Sequence, residues 1–588
     1  MRVRLKMKHL ISHGIQAILL TSLLTGCGLS MHGSNTGENA TFSPNAKSDK
    51  IETTLYEQQL ELLRSSGGIN GDRIEGMDPV HVVYNPEAPI PPQCYTKTEG
   101  THNPCYVCHQ DSMSQRENQM DDGAQQLAYN FSDVGVKNHW KNLFEDRSKA
   151  VAAISDDEIL EWVDQDNYSS LGENLKASGF KGWIPDLKDL QLGAGAFNEH
   201  GFALDGSGWV AFNYKPLPST FWPTNGSTDD VMIRLPKMYR TDKTGSYSEN
   251  IYRANLAVVE ANLKGLSEIS SLPINESKVG KDLDGDGELS IANHVLVKVG
   301  YQGAAEGYYM DSFLYPEGTE FLHTVRYLGI KDNGEITVSK RMKEVRYIKK
   351  WKGMAKPLYA REYQLEGYEK DLGHLPQYKS VGDYGLDNDF GWSVQGFIED
   401  KNGELRTASY EENLFCMGCH ASIGATIDKT FSFPRKVDGA KGWGYINLKG
   451  MPDAPNMGEE KGEILTYLER VGGGGEFRSN PEMQQRWFDK SGTTVDLNKI
   501  SKAKDVYDLI APSVERALEL NKAYKVIVDE QDFIYGRDAT VTPPENVLKE
   551  VDMATAPTLP PEKFFKWDIR LDWSSTKNKS ADYLSRNN

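Results

Sequence analysis

Two short stretches of the chain share a pattern that can attach a metal cofactor covalently. CYVCH at 105–109 and CMGCH at 416–420 both read Cys-x-x-Cys-His. On a helix, positions i, i+3 and i+4 share one face, so two thioether bonds and one iron ligand can come from the same side. The spacing predicts two haem c groups bound through four thiols and two proximal histidines: Cys105, Cys108, Cys416, Cys419, His109 and His420.

The number of cysteines limits the alternatives. The chain has six, and the two outside the motifs are Cys27 and Cys94. This is not a disulfide framework, which needs spare cysteines in even number. Two zinc half-sites that form one centre are the alternative, but zinc does not need a histidine directly after each second cysteine. Cys94 is interpreted either as a buried, inert thiol or as an unusual axial thiolate.

Each motif lies where a helix is expected to begin. Asn103 is a favourable N-cap and Pro104 a favourable first helical residue, which predicts a helix starting just before Cys105. Ser409 and Glu412 fit a capping box, so the second motif is expected on the turns that follow.

The N-terminus has the features of an export signal. Four basic residues precede an apolar run at about 10–24, and the run is too short and too interrupted to span a bilayer comfortably. It ends in Leu-Thr-Gly-Cys at 24–27, the pattern of a bacterial lipobox. We therefore expect acylation of Cys27 and a lipid anchor, and Gly28 favours the outer membrane, with the protein facing the periplasm or the cell surface.

With the lipobox and the two motifs, the chain resembles the multihaem c-type cytochrome lipoproteins of Gram-negative bacteria. The resemblance covers few residues. It departs from the dihaem peroxidase pattern, in which two compact cytochrome domains lie side by side, because Cys105 and Cys416 are 311 positions apart.

The distal ligands determine whether each iron is closed or open to a substrate. His139 is the first choice for the first haem because it follows that motif closely. For the second haem, His323 in a strand-like apolar segment competes with Met451 in a Gly-Met-Pro loop. A histidine in an apolar setting is also often a hydrogen-bonded core residue.

These observations favour an electron carrier that exchanges electrons with redox partner proteins, without catalytic residues of its own. The rival hypothesis is an oxidoreductase, peroxidase-like or oxygenase-like, with one open haem iron. A docked subunit of a respiratory assembly is a third possibility. The formal charge of −18 argues against nucleic-acid binding.

A separate acidic stretch resembles a calcium-binding loop. DLDGDGELSIAN at 282–293 has the order of an EF-hand loop, although Asn293 stands where a bidentate Glu is expected. The alternative is a solvated acidic turn. The stretch predicts a Ca²⁺ site of modest affinity with four ligand residues: Asp282, Asp284, Asp286 and Glu288.

The pattern predicts a mixed α+β fold, mainly α with long loops, in which a helical haem-binding core is accompanied by small β elements. Ser155 and Ser246 are expected to cap helices, two helices should be separated near Pro512, and FKWDIRLDW at 565–573 should form a strand with one buried and one wet face. The predicted segments, in chain order, are a signal peptide at 1–26, a lipidated tether at 27–52, a first haem segment at 53–150, a middle region at 151–400, a second haem segment at 401–450, and a C-terminal helical region at 451–588 that ends in a strand.

Overall fold

The structure is a computed structural model. It describes residues 83–574 except 97–103, 111–122, 129, 130, 133, 219–222, 373–377, 422, 472–479, 557–563, 565 and 567. The chain divides into two units, Met1–Val82 and Val83–Asn588, and all described residues belong to the second. Cys27, the tether and Asn103 therefore lie outside the described residues, and the predictions made for them stay predictions.

An antiparallel sheet of eight strands forms the centre of this unit. The strands of the described residues are β1 (Val210–Ala211), β2 (Thr228–Arg234), β3 (Glu268–Asn275), β4 (Ile291–Leu296), β5 (Glu320–Ile330), β6 (Ile336–Lys350), β7 (Lys379–Ser380), β8 (Leu386–Asp387), β9 (Trp392–Glu399), β10 (Leu405–Thr407), β11 (Asn456–Met457) and β12 (Asp568–Leu571). The sheet has the order β1-β2-β5-β6-β9-β8-β7, and β10 also pairs with β9. Two smaller sheets pair β3 with β4 and β11 with β12.

Helices surround this sheet. Those of the described residues are α1 (Gln125–Ala128), α2 (Ser148–Ala153), α3 (Asp156–Asp164), α4 (Leu171–Ala177), α5 (Glu249–Lys264), α6 (Glu276–Val279), α7 (Lys356–Asp371), α8 (Tyr410–His420), α9 (Glu463–Val471), α10 (Pro481–Trp487), α11 (Leu497–Ile500), α12 (Val506–Ile510) and α13 (Val514–Glu530). A short 3₁₀ turn, Cys105–Val107, carries the first motif.

Both faces of the central sheet are buried. Leu322 and Val345 lie in one apolar cluster with residues around α4, and Phe321 and Ile348 lie in another with α5 and α8. In a strand, successive side chains point to opposite faces, so these adjacent positions supply both layers. The register pairs His323 on β5 with Arg346 on β6, which places both side chains on the second face.

The prediction of a mainly helical fold is wrong, because the eight-stranded sheet is the dominant element. The strands of the central sheet give a weak signal in the sequence because they carry charged residues that are buried as ion pairs. Arg326 binds Asp230, Arg341 binds Glu399 and Arg346 binds Glu344, and all six side chains are at least nine-tenths buried. Charged residues at buried positions remove the simple alternation that marks a half-exposed strand.

Several local predictions can be compared with the structure directly. Ser155 caps α3 as expected, and α12 and α13 are separated around Pro512. The cap of α5 is Ser248, not Ser246, which shifts the predicted start by two residues. The prediction of a wet face on the last strand is wrong, because Asp568 and Arg570 of β12 are buried and paired with each other.

Candidate functional site

The two motifs lie on one cavity. It encloses about 1130 Å³ of non-atom space, its open mouth included. The first motif contributes Cys105, Cys108 and His109 to the wall, and α8 contributes Cys416 and Cys419. The second face of the central sheet and the segment after α13 close the other side. The fold thus brings together two cysteine pairs that are far apart in sequence.

The first motif forms one short turn in the part of the chain that the structure describes. Its helix is the three-residue 3₁₀ turn, shorter than the predicted helix, and no side chain caps it. The backbone N–H of His109 donates to the carbonyl of Cys105 at 2.8 Å, which keeps the Cys-x-x-Cys-His segment in a helical turn. Gln126 on α1 donates to the His109 carbonyl, also at 2.8 Å.

The second motif forms the last two turns of α8. The predicted capping box is confirmed: Ser409 accepts from the N–H of Glu412 at 3.2 Å, and Glu412 accepts from the N–H of Ser409 at 2.7 Å. At the other end of the helix, Asn388 donates its side-chain amide to the carbonyl of His420 at 2.7 Å. Hydrogen bonds therefore hold both ends of this helix.

The ring of His420 is held through one nitrogen, which leaves the other available for a metal. Its Nδ1 is 3.0 Å from the carbonyl oxygen of Lys429, which can only accept, so Nδ1 carries the proton and Nε2 has a free lone pair. Burial lowers the pKa of His420 to about 3, so the ring is neutral at pH 7. A neutral imidazole held through its other nitrogen is the usual form of a histidine ligand.

An unusual turn supplies that carbonyl. Asp428 and Lys429 both have positive φ, 46° and 65°, a conformation that L-residues rarely adopt. The buried carboxylate of Asp428 fixes the turn by accepting hydrogen bonds from Lys350 Nζ at 2.5 Å, Tyr359 Oη at 2.6 Å and Trp392 Nε1 at 3.1 Å. The position of the Lys429 carbonyl therefore depends on a network that the motif sequence does not reveal.

The two distal candidates for the second motif lie in different surroundings. His323 on β5 is 3% exposed, and its positive charge, when present, would disfavour protonation of His420. Its Nε2 is 3.4 Å from a carboxylate oxygen of Asp229, which also accepts a hydrogen bond from Tyr214. Met451 is buried in the large apolar cluster and is not one of the described residues that line the cavity.

His139 has the hydrogen-bonding pattern of an available ligand, but, like Met451, it is not among the described residues that line the cavity. Its Nε2 is buried and has no hydrogen-bond partner, while the ring also bonds the backbone of Val134. Burial lowers the pKa of His139, which favours the neutral ring. The ring of Tyr84 lies edge-on to it, with 5.9 Å between centroids.

The floor of the cavity is charged. Glu344 and Arg346 project from β6, and Arg537 from the segment after α13. Glu344 binds Arg346 at 2.7 Å and Arg537 at 2.6 Å. Burial alone would raise the pKa of Glu344, but the two guanidinium groups outweigh it and bring the value to about 2. No sequence motif marks these three residues, since two lie on β6 and one in the segment after α13, far from both cysteine motifs in the chain.

The cysteines do not form a compact metal centre. Among the described residues, the single group of three or more His, Cys, Asp or Glu ligand atoms within 4.8 Å of one another is acidic and contains no cysteine. A tetrahedral zinc site would need such convergence. Cys94 also lines the cavity, and burial, together with the nearby Cys105 and Cys419, raises the pKa of its thiol.

The acidic group coincides with the predicted calcium loop. Asp282, Asp284 and Asp286 lie there together with Glu276, which the loop pattern did not include. Glu276 is fully buried, and its two oxygens accept from the N–H groups of Leu283 at 2.6 Å and Ser290 at 2.9 Å. The fourth predicted ligand residue, Glu288, is not in the group.

Within the described part of the chain, no helix combines the length and apolarity needed to cross a membrane. A protein named as an uncharacterized lipoprotein from Aquifex aeolicus (strain VF5) is 33% identical over 538 residues, which cover 80% of this chain and 89% of that relative. No solved structure matches the chain.

The assignment to the multihaem cytochrome lipoproteins is wrong. The motifs and the lipobox on which it depended are only a few residues, and short sites recur on unrelated folds. A family model described as ":-like lipoprotein" instead matches residues 77–507, a stretch that contains both Cys-x-x-Cys-His motifs. The chain belongs to this lipoprotein family.

Proposed function

We propose that the protein is a membrane-anchored lipoprotein that binds haem c at both motifs and passes electrons between redox partner proteins. One observation carries the proposal: the cysteine pairs of two Cys-x-x-Cys-His motifs, 311 positions apart in sequence, line the same cavity together with His109. Two attachment sites in one cavity would allow electrons to pass directly between the two groups. This proposal depends on the residues of the site and not on the family.

The lining of the cavity is compatible with such groups. Cofactor sites are mostly apolar with a few placed polar groups. Pro91, Val107, Val325 and Phe415 provide apolar wall here. Because the cysteine sulfurs do not converge as zinc ligands do, separate thioether attachments suit them better.

The histidines of the site have separate tasks. Lys429 holds His420 with Nε2 available, and His139 offers a buried Nε2 without a partner. His109 and His420 would be the proximal ligands, and His139, which is outside the described cavity lining, stays the distal candidate at the first motif. Haem c supplies an iron that changes between ferric and ferrous states. The chain fixes the ring orientations and buries the site, which sets the potential of the iron.

The surroundings of His323 favour a second candidate function. Its Nε2 faces Asp229, so the nitrogen that usually binds iron is directed at a carboxylate. With Met451 outside the cavity lining, the iron at the second motif would keep an open position. The protein would then be a dihaem oxidoreductase, peroxidase-like or oxygenase-like.

The anchor completes the proposal. Acylation of Cys27 would hold the soluble unit at a membrane through several acyl chains, which bind stably where one chain does not. Gly28 favours the outer membrane, with the protein facing the periplasm or the cell surface.

The test is expression of residues 28–588 behind a cleavable export signal in a host that matures c-type haem. We expect the intact mass to exceed that of the polypeptide by two haem groups. Replacing Cys105 and Cys108 by Ala should remove one group, and replacing Cys416 and Cys419 should remove the other, whereas Cys94→Ala should keep both. A wild-type mass equal to the bare polypeptide would refute the proposal. Carbon monoxide added to the reduced protein separates the two functions, because only an open iron shifts its absorption.

The acidic loop supports a structural calcium ion, which we retain as a prediction. Four carboxylates in one small group repel one another unless a cation is bound. Saturating Ca²⁺ should raise the Tm, because a ligand that binds only the folded state stabilises it by about 2.7 kcal/mol at one hundred times its Kd. Asp284→Asn should reduce this gain, and Asp242→Asn, in a solvated acidic turn elsewhere, should not. Equal Tm values in Ca²⁺ and in chelator would contradict it.

A further inference from the structure

The cavity has a second polar region, formed by Lys343 on β6, Tyr524 on α13, and Asn225 and Ser227 just before β2. None of these residues belongs to a motif, and none is needed to attach a cofactor.

An irregularity in the sheet directs Lys343 into this region. The pairing of β5 with β6 runs from Val325–Glu344 to Arg326–Met342, so Lys343 is an extra residue without a partner on β5. Such bulges change the direction of a side chain and are common beside functional sites. Lys343 therefore lines the cavity together with its neighbour Glu344, although adjacent strand residues normally point to opposite faces.

The ammonium group of Lys343 keeps donor capacity. It is buried, and it donates to the carbonyl of Gly226 at 2.6 Å and to the hydroxyl of Ser227 at 3.1 Å. An ammonium has three hydrogens, so one is left for a further acceptor. The ring of Tyr524 lies 4.1 Å from Nζ, measured to its centroid.

Two further donors in the region have no hydrogen-bond partner. The hydroxyl of Tyr524 has no hydrogen-bond partner, and the residue is buried, with 2% of its surface exposed. The side-chain amide nitrogen of Asn225 is also buried without one. Buried polar groups nearly always form hydrogen bonds, and a buried donor without one costs about 1–3 kcal/mol of stability. Two such groups beside a lysine on one cavity indicate a ligand that supplies acceptor atoms.

The charges of the lining favour a negative ligand. Its cationic side chains are Lys343, Arg346 and Arg537, and its carboxylates are Glu344 and Asp538. The two arginines hold Glu344 between them. Burial lowers the pKa of Lys343 to about 7, which the nearby carboxylates of Glu399, Glu344 and Asp538 offset only in part, so a bound anion would favour the charged form of Lys343. When Lys343 is protonated, the lining has a formal excess of one positive charge in a chain whose net charge is −18.

We propose that Lys343, Tyr524 and Asn225 form a binding subsite for an anionic oxygen group, a carboxylate or a small oxyanion, in the cavity shared by the two motifs. The subsite deepens the proposed function and rests on it for its role, since the group would lie beside the redox centre. The anionic group has two conceivable sources: the propionate groups of a bound haem, or a free anion that enters as a substrate.

Isothermal titration calorimetry measures the binding of acetate, nitrite and sulfite to the purified protein with and without haem. The midpoint potentials of the haem-loaded form are measured separately. Lys343→Met removes the charge and keeps most of the side-chain length, and Tyr524→Phe removes one hydroxyl. Tyr301→Phe, at a buried tyrosine outside the cavity lining, is the matched control. Circular dichroism checks the fold of each variant.

If a free anion occupies the subsite, affinity should fall about 10- to 100-fold in Lys343→Met and about 2- to 10-fold in Tyr524→Phe. If a propionate occupies it, the haem-loaded protein should bind no free anion, and Lys343→Met should lower a midpoint potential. Asn225→Asp, which places a negative charge there, should act in the same direction. Unchanged anion affinity and unchanged potentials in all three variants would overturn the subsite. If the protein binds anions but acquires no haem in a host that matures c-type haem, the anion binding would support the subsite and the missing haem would refute the proposed redox function.

Discussion

The two Cys-x-x-Cys-His motifs have the same chemistry but different structural support. The first lies on a three-residue 3₁₀ turn without a side-chain cap. The second ends an eleven-residue helix with a capping box, and its histidine is bonded to a turn fixed by buried Asp428. The carbonyl that orients His420 is therefore fixed by side chains of the sheet and α7, whereas at the first motif the backbone carbonyls of Cys108 and His109 accept hydrogen bonds from Ala425 and Gln126. The same five-residue pattern can thus give two sites of different rigidity.

The strongest test of this difference removes Asp428. In Asp428→Ala, the buried Lys350 loses its carboxylate, and breaking a buried pair in this way costs about 3–5 kcal/mol. The Lys429 carbonyl should also lose its fixed position, so we expect His420 to hold an iron at the second motif less firmly. Urea unfolding measures the loss of stability, and carbon monoxide binding to the reduced protein measures the loss of the iron ligand.

The matched change at the first motif is Gln126→Ala. It removes one hydrogen bond to the His109 carbonyl and should cost about 1 kcal/mol. Equal losses of stability in the two variants would show that the two motifs are supported to the same degree.

The sequence indicated the motifs themselves, the cap at Ser409 and the helix break near Pro512, because each depends on residues within a few positions of one another. It could not indicate that both motifs share one cavity, because that depends on pairing between distant strands. Asp428 was missed for the same reason: its partners Lys350, Tyr359 and Trp392 come from three other elements. The sheet was underestimated because β5 and β6 bury paired charges.

The second test lowers the pH, because a carboxylate supports the cavity floor beside Cys416. The pKa of Glu344 is about 2 in the folded protein against an ordinary value of 4.5, so its stabilisation is complete above 4.5 and is lost as the pH falls toward 2. That difference corresponds to about 3 kcal/mol. The free energy of unfolding should therefore decrease more steeply between pH 5 and 2 in the wild type than in Glu344→Gln.

Glu335 is the control for this measurement. Its pKa is also lowered to about 2, by Lys449 and Lys331, but it lies in the surface turn between β5 and β6. Salt screens exposed pairs and leaves buried pairs largely unaffected, so 0.5 M NaCl should abolish the pH effect of Glu335→Gln and preserve that of Glu344→Gln. An effect of Glu344 that disappears in salt would mean that the cavity floor is solvated.

The smallest expected effect concerns the helix that carries the second motif. Ser409 and Ser155 cap α8 and α3 in the same way, each accepting from the third following N–H at 3.2 Å. Replacing either by Ala should cost about 1 kcal/mol. Only Ser409→Ala should also speed hydrogen exchange of the amides at 416–420, because that helix ends at His420. Hydrogen-exchange mass spectrometry measures these exchange rates with or without a bound cofactor. Faster exchange at 416–420 in Ser155→Ala as well would mean that the two helices open together, and that the Asp428 turn, not the cap, keeps the second motif in place.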